Sequence, residues 1–124
     1  MTSAFTEVEA VLQDYFDGLY TCDVEILSRV FHPFAIYATA DESPTLIRHM
    51  PNYFEVVAAR EPGASRGETR KDSIDAIDFA GDKTAFARVR CRIGQRDFID
   101  FLTLIRDHDR WQIISKVFHF TETR

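Results

Sequence analysis

The feature that most constrains this chain is a change of hydrophobic period near Lys71. Before it, apolar residues recur at three and four; after it, they alternate. Phe5, Val8, Val11, Leu12, Tyr15, Phe16 and Leu19 mark one face of a first helix. Its start is set either by a capping box of Thr6 with Glu9 or, earlier, by Ser3. Gly18 lies inside the pattern and costs about 1 kcal/mol relative to Ala. Asp23 is a good N-cap for a second, short helix carrying Ile26, Leu27, Val30 and Phe31, and Pro33 is expected to end it. His32 then reads as a cap at that helix end. Residues 34–40 are β-prone and 41–44 form a turn. Met50, Tyr53, Phe54 and Val57 mark a third helix, and 61–69 read as a surface loop.

Past Lys71 the pattern predicts four strands, at about 71–79, 83–93, 97–106 and 110–121, separated by short turns. Short links between long strands imply an antiparallel meander. Helices followed by strands predict an α+β domain spanning 1–124, three N-terminal helices packed on a curved, mostly antiparallel sheet.

The turns also predict register. A two-residue turn at Gly94-Gln95 pairs Cys91 with Phe98 and Val89 with Asp100. A four-residue turn from Asp107 to Arg110 pairs Leu104 with Ile113, Asp100 with Val117 and Phe98 with His119. Alternation then puts Phe98, Asp100, Leu102, Ser115, Val117 and His119 on one face. It puts Arg88, Arg90, Arg92, Ile99, Phe101, Ile105, Ile114, Lys116, Phe118 and Phe120 on the other.

Composition excludes several classes. The formal net charge of −5 argues against a nucleic-acid or anionic-membrane surface. No apolar run approaches a bilayer span, and the opening residues Met1 to Glu7 carry no secretory signal, so a cytoplasmic protein is expected. Cys22 and Cys91, without CxxC spacing, read as reduced thiols, although one disulfide stays open. The four histidines show no HxH, HxxxH or HExxH spacing, and no glycine-rich phosphate loop is present, so neither metal nor cofactor is expected. Eleven Phe, four Tyr and one Trp are heavy for 124 residues and must line a core, a pocket or an interface.

The order of elements, the stretch VLQDYFDGLYTCDVEILSRVFHPFAIY and the closing DFIDFLTLIRDHDRWQIISKVFHF resemble the nuclear transport factor 2-like superfamily. That superfamily has a cone-shaped, cystatin-like fold shared by ketosteroid isomerases, scytalone dehydratase and SnoaL-like polyketide cyclases. Phe31-His32-Pro33 together with Lys116-Val117-Phe118-His119 is most similar to its lumazine-binding group. The resemblance implies that Tyr15 matches the isomerase's oxyanion donor. The isomerase's aspartate base falls at Thr39 and its second oxyanion acid near Leu102, so ketosteroid isomerisation is not implied. The resemblance also sets Ser115, Val117 and His119 on the concave, pocket-lining side.

Asp100 is the sharpest candidate residue, because a carboxyl facing a pocket is desolvated and its pKa rises. His119, one strand over, would lie within diagonal reach, and an Asp–His pair in an apolar cavity suits acid–base work. The alternative is that the two only bond each other and hold the core. Asp100, His119 and Tyr15 are therefore the expected catalytic set, with Leu19, Tyr37, Tyr53, Phe54, Phe98, Ser115 and Val117 lining a ligand pocket. Asp41 and His49 read as solvated loop residues and His108 as exposed in a turn.

Three functions follow: a small-molecule-binding protein, a cofactor-independent isomerase, dehydratase or cyclase, or an assembly domain without catalysis. The first is favoured. A homodimer is expected through Ile99, Phe101, Ile105, Ile114, Phe118 and Phe120, which would otherwise form an exposed apolar patch.

Overall fold

A computed structural model describes residues 3–123; Met1, Thr2 and Arg124, the ends of the expected domain, lie outside them. Helix α1 (Ala4–Thr21) begins at Ser3, whose hydroxyl accepts the Thr6 N–H, so the earlier of the two expected starts is the one adopted. Helix α2 (Val24–Val30) begins at Asp23, whose carboxylate accepts from the backbone of Glu25 and Ile26. The two helices close on each other at Gly18, where a Cβ would sit 2.8 Å from Leu27 Cδ2. Close approach, not turn-making, explains a glycine in the middle of α1's apolar face.

Strand β1 (Phe31–Thr39) follows α2 without a loop. The helix thus ends three residues before Pro33, and His32 lies in the strand instead of capping the helix; its Nδ1 accepts the Phe34 N–H. Pro33 is tolerated because β1's pairing with the last strand is interrupted between Phe31 and Ile36, where no ladder bond is asked of it. Strand β2 (Leu46–His49) pairs antiparallel with β1 and leads into α3 (Met50–Ala59). Four residues are too few for periodicity to reveal, and β2 has no counterpart in the sequence reading. Residues 60–72, with a 3-10 turn at Gly63–Arg66, connect to β3 (Ser73–Ala80), β4 (Thr84–Ile93), β5 (Arg96–Asp107) and β6 (Arg110–Glu122).

The sheet runs β2-β1-β6-β5-β4-β3 and is antiparallel except between β1 and β6. The architecture is α+β, with three helices on a curved six-stranded sheet. Val8, Leu12 and Phe16 of α1, Leu27 of α2 and Val57 of α3 meet Ala87, Val89, Leu102, Leu104 and Ile113 in one buried core. No helix among the described residues is long and apolar enough to cross a membrane.

Register holds as expected across the Gly94-Gln95 turn, with Cys91 opposite Phe98 and Val89 opposite Asp100. It fails between β5 and β6. Leu104 pairs with Ile113 as expected, but Thr103 then pairs with Ser115, so β6 carries one extra residue, Ile114. A one-residue bulge exchanges the faces of everything beyond it. Asp100 therefore faces Phe118, not Val117, and Phe98 faces Phe120, not His119. Lys116, Phe118 and Phe120 turn towards the helices; Ser115, Val117 and His119 turn away, contrary to the expected pocket lining. Phe118 and Phe120 likewise leave the outer face on which a dimer contact was expected.

Hydrophobicity accounts for the phase. Fully burying an aromatic side chain is worth about 1.5–3 kcal/mol, and the other phase would bury Val117 and a histidine in place of two phenylalanines. The cost of the adopted phase is one inward lysine.

Gly18→Ala should lower stability by about 1–2 kcal/mol in urea unfolding, because overpacking against the fully buried Leu27 exceeds the gain in helix propensity. A stabilised variant would show that α2 shifts freely.

Candidate functional site

Asp100 stands on the inner face of β5 and is fully buried. Tyr15, from the middle of α1, donates its hydroxyl to Asp100 Oδ2 at 2.6 Å. Lys116, brought inward by the bulge, places Nζ 3.9 Å from the same oxygen. Four rings surround that ammonium: Tyr15 and Tyr37 at 5.2 Å from Nζ to centroid, Phe118 at 5.3 Å and Tyr53 at 5.7 Å. Each is within the range of an attractive cation–ring contact. The rings support one another, with Tyr37 stacked on Tyr53 at 4.6 Å and Phe31 edge-on to both Tyr15 and Tyr53. Helices α1 and α3 and strands β1, β5 and β6 thus converge on a single ion pair.

Two polar atoms of the cluster have no partner. Asp100 Oδ1 and the Tyr53 hydroxyl are buried and make no hydrogen bond among the described residues. Buried polar atoms are usually satisfied, so such orphans call for an explanation. Electrostatics keep the donors protonated. Burial alone would push the Lys116 ammonium down, but Asp100, aided by the tyrosines, outweighs it and holds the group above its ordinary range. Burial raises the Tyr15 phenol well above its usual value, with Asp100 adding to the effect. Burial raises Tyr53 too, against the opposing pull of Lys116. At neutral pH the cluster therefore presents a cation and phenolic donors, beside the unpartnered Asp100 Oδ1.

The other candidates divide by face. Leu19, Tyr37, Tyr53 and Phe98 are buried with Tyr15 and Asp100, and Phe54 is half-buried with its ring 5.9 Å from Tyr53. Ser115, Val117 and His119 lie outside. His119 is paired with Asp41, not Asp100, at 2.5 Å, and its side chain is 58% exposed. Asp41 Oδ2 also accepts the Phe120 N–H. That backbone bond, with the His119 contact second, holds the Asp41 carboxyl below its usual range. Asp41 therefore anchors the β1–β2 turn to β6 instead of standing free in solvent. A depression of about 310 Å³ lies on the outer face along Ile99, Phe101 and Val117, and one of about 370 Å³ is lined from both faces, by Cys91 and Phe98 as well as Ile99 and His119.

Lys116 is the residue that sequence reasoning missed. A signal existed: the Ile113-Ile114 doublet breaks strict alternation, and the aromatic phase after it matches the buried face of β5.

Removing one partner of a buried pair strands the other, at a cost of about 3–5 kcal/mol. Asp100→Leu and Lys116→Met should each destabilise on that scale, whereas the double variant should recover most of the loss in a urea-unfolding cycle. Strictly additive losses would show that the charges do not depend on each other. The pH dependence has a definite sign. Lys116 is raised on folding, so its contribution is intact below the unfolded lysine value and is lost only as pH climbs through the folded one. Stability should fall in strongly alkaline solution, and Lys116→Met should lessen that fall without abolishing it, because the raised Tyr15 and Tyr53 phenols contribute with the same sign.

Comparison with the curated proteins returned no match. Solved structures match along nearly the whole chain. An NTF2-like protein of unknown function from Shewanella baltica superposes with a TM-score of 0.84 at 24% identity, over 99% of this chain and all of that one. A ketosteroid isomerase-like protein from Erwinia carotovora gives 0.76 at 11%, covering 99% of this chain and 100% of that one. A domain with a cystatin-like fold from Nostoc punctiforme gives 0.76 at 16%, covering 99% and 81%. At these identities the likeness concerns the cone-shaped fold. A family profile described as "Putative lumazine-binding" matches residues 3–119, and the chain belongs to that family within the NTF2-like superfamily.

Proposed function

We propose that this protein binds a small planar heterocycle inside the cone, with the ligand's polar edge on the Asp100–Lys116–Tyr53 cluster. The observation that carries the reading is the pair of orphaned atoms, Asp100 Oδ1 and the Tyr53 hydroxyl. One is an acceptor and the other a donor, and Lys116 supplies a second donor beside the Asp100 carboxylate. A cyclic amide offers the complement: its N–H to Asp100 Oδ1, its carbonyl to Tyr53 and Lys116. Tyr37, Phe118 and Phe98 supply apolar walls on which a flat ring stacks. Lumazine, the compound in the family's description, is a fused bicyclic ring with such edges. The cluster is closed to solvent, so binding requires the rings and the Lys116 side chain to give way, and the ligand supplies the missing hydrogen bonds in return.

Lumazine is the probe for calorimetric titration. Binding should be saturable, and Tyr53→Phe should weaken it about tenfold, the loss of one hydrogen bond of about 1.4 kcal/mol. The same substitution should leave Tm unchanged or raised, since it deletes an unsatisfied buried hydroxyl. Absence of binding by lumazine and by simpler cyclic imides, or a Tyr53→Phe affinity equal to that of the unaltered protein, would overturn the reading.

A second reading rests on the same atoms. Asp100 Oδ1 would serve as the base, Tyr15 would steady the other oxygen, and Lys116 with Tyr53 would stabilise an oxyanion, so the cluster has the parts for proton transfer next to a carbonyl. His119, expected to share this role, lies on the other face. Solvent deuterium entering a bound ketone would separate catalysis from binding alone.

We also propose that the outer sheet face pairs with a second copy. Cross-strand pairing sets Ile47, Ala38, Val117, Phe101 and Arg88 in one row across five strands. Phe101 is 46% and Val117 50% exposed, although the Arg88 guanidinium lies 5.5 Å from the Phe101 centroid and the Phe86 ring packs edge-on at 5.4 Å. Val117 and Phe86 now join Ile99, Phe101 and Ile105 in the patch, Ile114 sits half-buried at the bulge, and Phe118 and Phe120 drop out. Phe101→Glu should convert a dimer to monomer in sedimentation at tens of micromolar, roughly the Kd of a weak interface; an unaltered protein that is monomeric there would refute the contact.

A further inference from the structure

We propose that residues 60–72 form a strap that gates the interior of the cone, opening as a unit between the last turns of α1 and the β4–β5 turn. The inference rests on the interior being the ligand site, and it concerns how that site is reached.

The strap is tied to both walls. On the helix side, Arg70 Nη1 meets Asp17 Oδ1 at 2.8 Å, its guanidinium lies 5.0 Å over the Tyr20 ring, and the Tyr20 hydroxyl donates to the Glu68 carbonyl at 2.7 Å. On the sheet side, Glu68 Oε1 accepts the Gly94 N–H at 2.7 Å. Glu68 is thus the hub, its main chain bound to a helix and its side chain to a hairpin turn. Arg66 steadies the hub, donating to Glu68 Oε2 at 2.8 Å and to the Glu61 carbonyl at 2.9 Å. Gly63 makes room for it: a Cβ there would lie 2.7 Å from Glu68 Oε2 and 3.4 Å from the Tyr20 ring.

These ties are polar and near the surface, and residues 60–72 carry no large apolar side chain, Pro62 and Ala64 being the most apolar. Releasing the strap exposes little hydrophobic surface, so its opening lies well below global unfolding in free energy. What lies behind it is the approach to the ion pair. Inward from the Gly94 turn the paired residues are Ile93 with Arg96, then Cys91 with Phe98, then Val89 with Asp100. On the opposite wall α1 runs back from Tyr20 through Leu19 to Tyr15. A ligand passing beneath an open strap would meet Cys91 and Phe98 before Asp100.

Cys91 provides a readout that needs no ligand. In a Cys22→Ser background it is the sole thiol, buried on β4 inward of the Gly94 turn to which the strap is tied. Its reaction with an aromatic disulfide reagent should accelerate at least tenfold in Glu68→Ala/Arg70→Ala, with the urea m-value unchanged. Arg110→Ala, which removes a bond to the Arg29 carbonyl at the far end of the cone, should leave the rate near that of the background. A rate unmoved by strap release, or one that in all variants follows the global unfolding equilibrium, would overturn the gate. Lumazine binding with an unmoved thiol rate would sink the gate alone. Fast thiol labelling without lumazine binding would keep the gate and sink the ligand reading.

Discussion

Everything inside this cone is arranged around one buried charge. The bulge at Ile114 brings Phe118 and Phe120 into the core and, because alternation is strict, brings Lys116 with them. An ammonium in an apolar interior is intolerable alone. Asp100, two strand positions beyond the Cys91–Phe98 pair, supplies the countercharge, and Tyr15, Tyr37, Tyr53 and Phe118 supply electron-rich ring faces. The positions of α1 and α3 follow, since Tyr15 and Tyr53 must both reach the cluster. Replaced by leucines, such a pair would give a core at least as stable; its retention here coincides with two unsatisfied buried atoms, Asp100 Oδ1 and the Tyr53 hydroxyl.

How much of this could be read from residues alone depends on where an extra residue enters. The β4–β5 hairpin was legible to the last pair, because a two-residue turn fixes register and neither strand is interrupted. The β5–β6 pairing was legible only as far as Ile113. Periodicity counts residues and cannot see one that steps out of the ladder, so a single bulge reassigned Ser115, Lys116, Val117, Phe118 and His119 together. The Asp100–Tyr15 half of the expected grouping came together in space, since both lie on elements whose phase was secure. The His119 half did not, and the Asp41–His119 contact joins segments 78 residues apart that no local pattern links. Strand β2 escaped for a different reason, being four residues held by tertiary pairing with β1.

The resemblance to the NTF2-like superfamily carried the fold correctly and the concave face wrongly, which has a physical basis. A cone of this kind needs helices, a curved sheet and a filled interior, and many sequences meet that demand. Which side chains of β6 point inward is decided by one bulge, and a residue-by-residue transfer across low identity inherits whatever phase the comparison assumes. Burial and pairing in this chain settle it: Lys116 inside, His119 outside.

The two proposed surfaces are not independent, because they share a backbone. Asp100 and Phe101 are successive residues of β5 on opposite faces, as are Lys116 and Val117 of β6, and Phe101 is paired across the ladder with Val117. A contact that fixes Phe101 and Val117 therefore fixes the pleat that presents Asp100 and Lys116. The strap is attached elsewhere, to α1 and the β4–β5 turn. In such a molecule the sheet can be held rigid by a neighbour on its outer side while access is granted from the end of the cone, so that the charge pair stays in register as the interior opens.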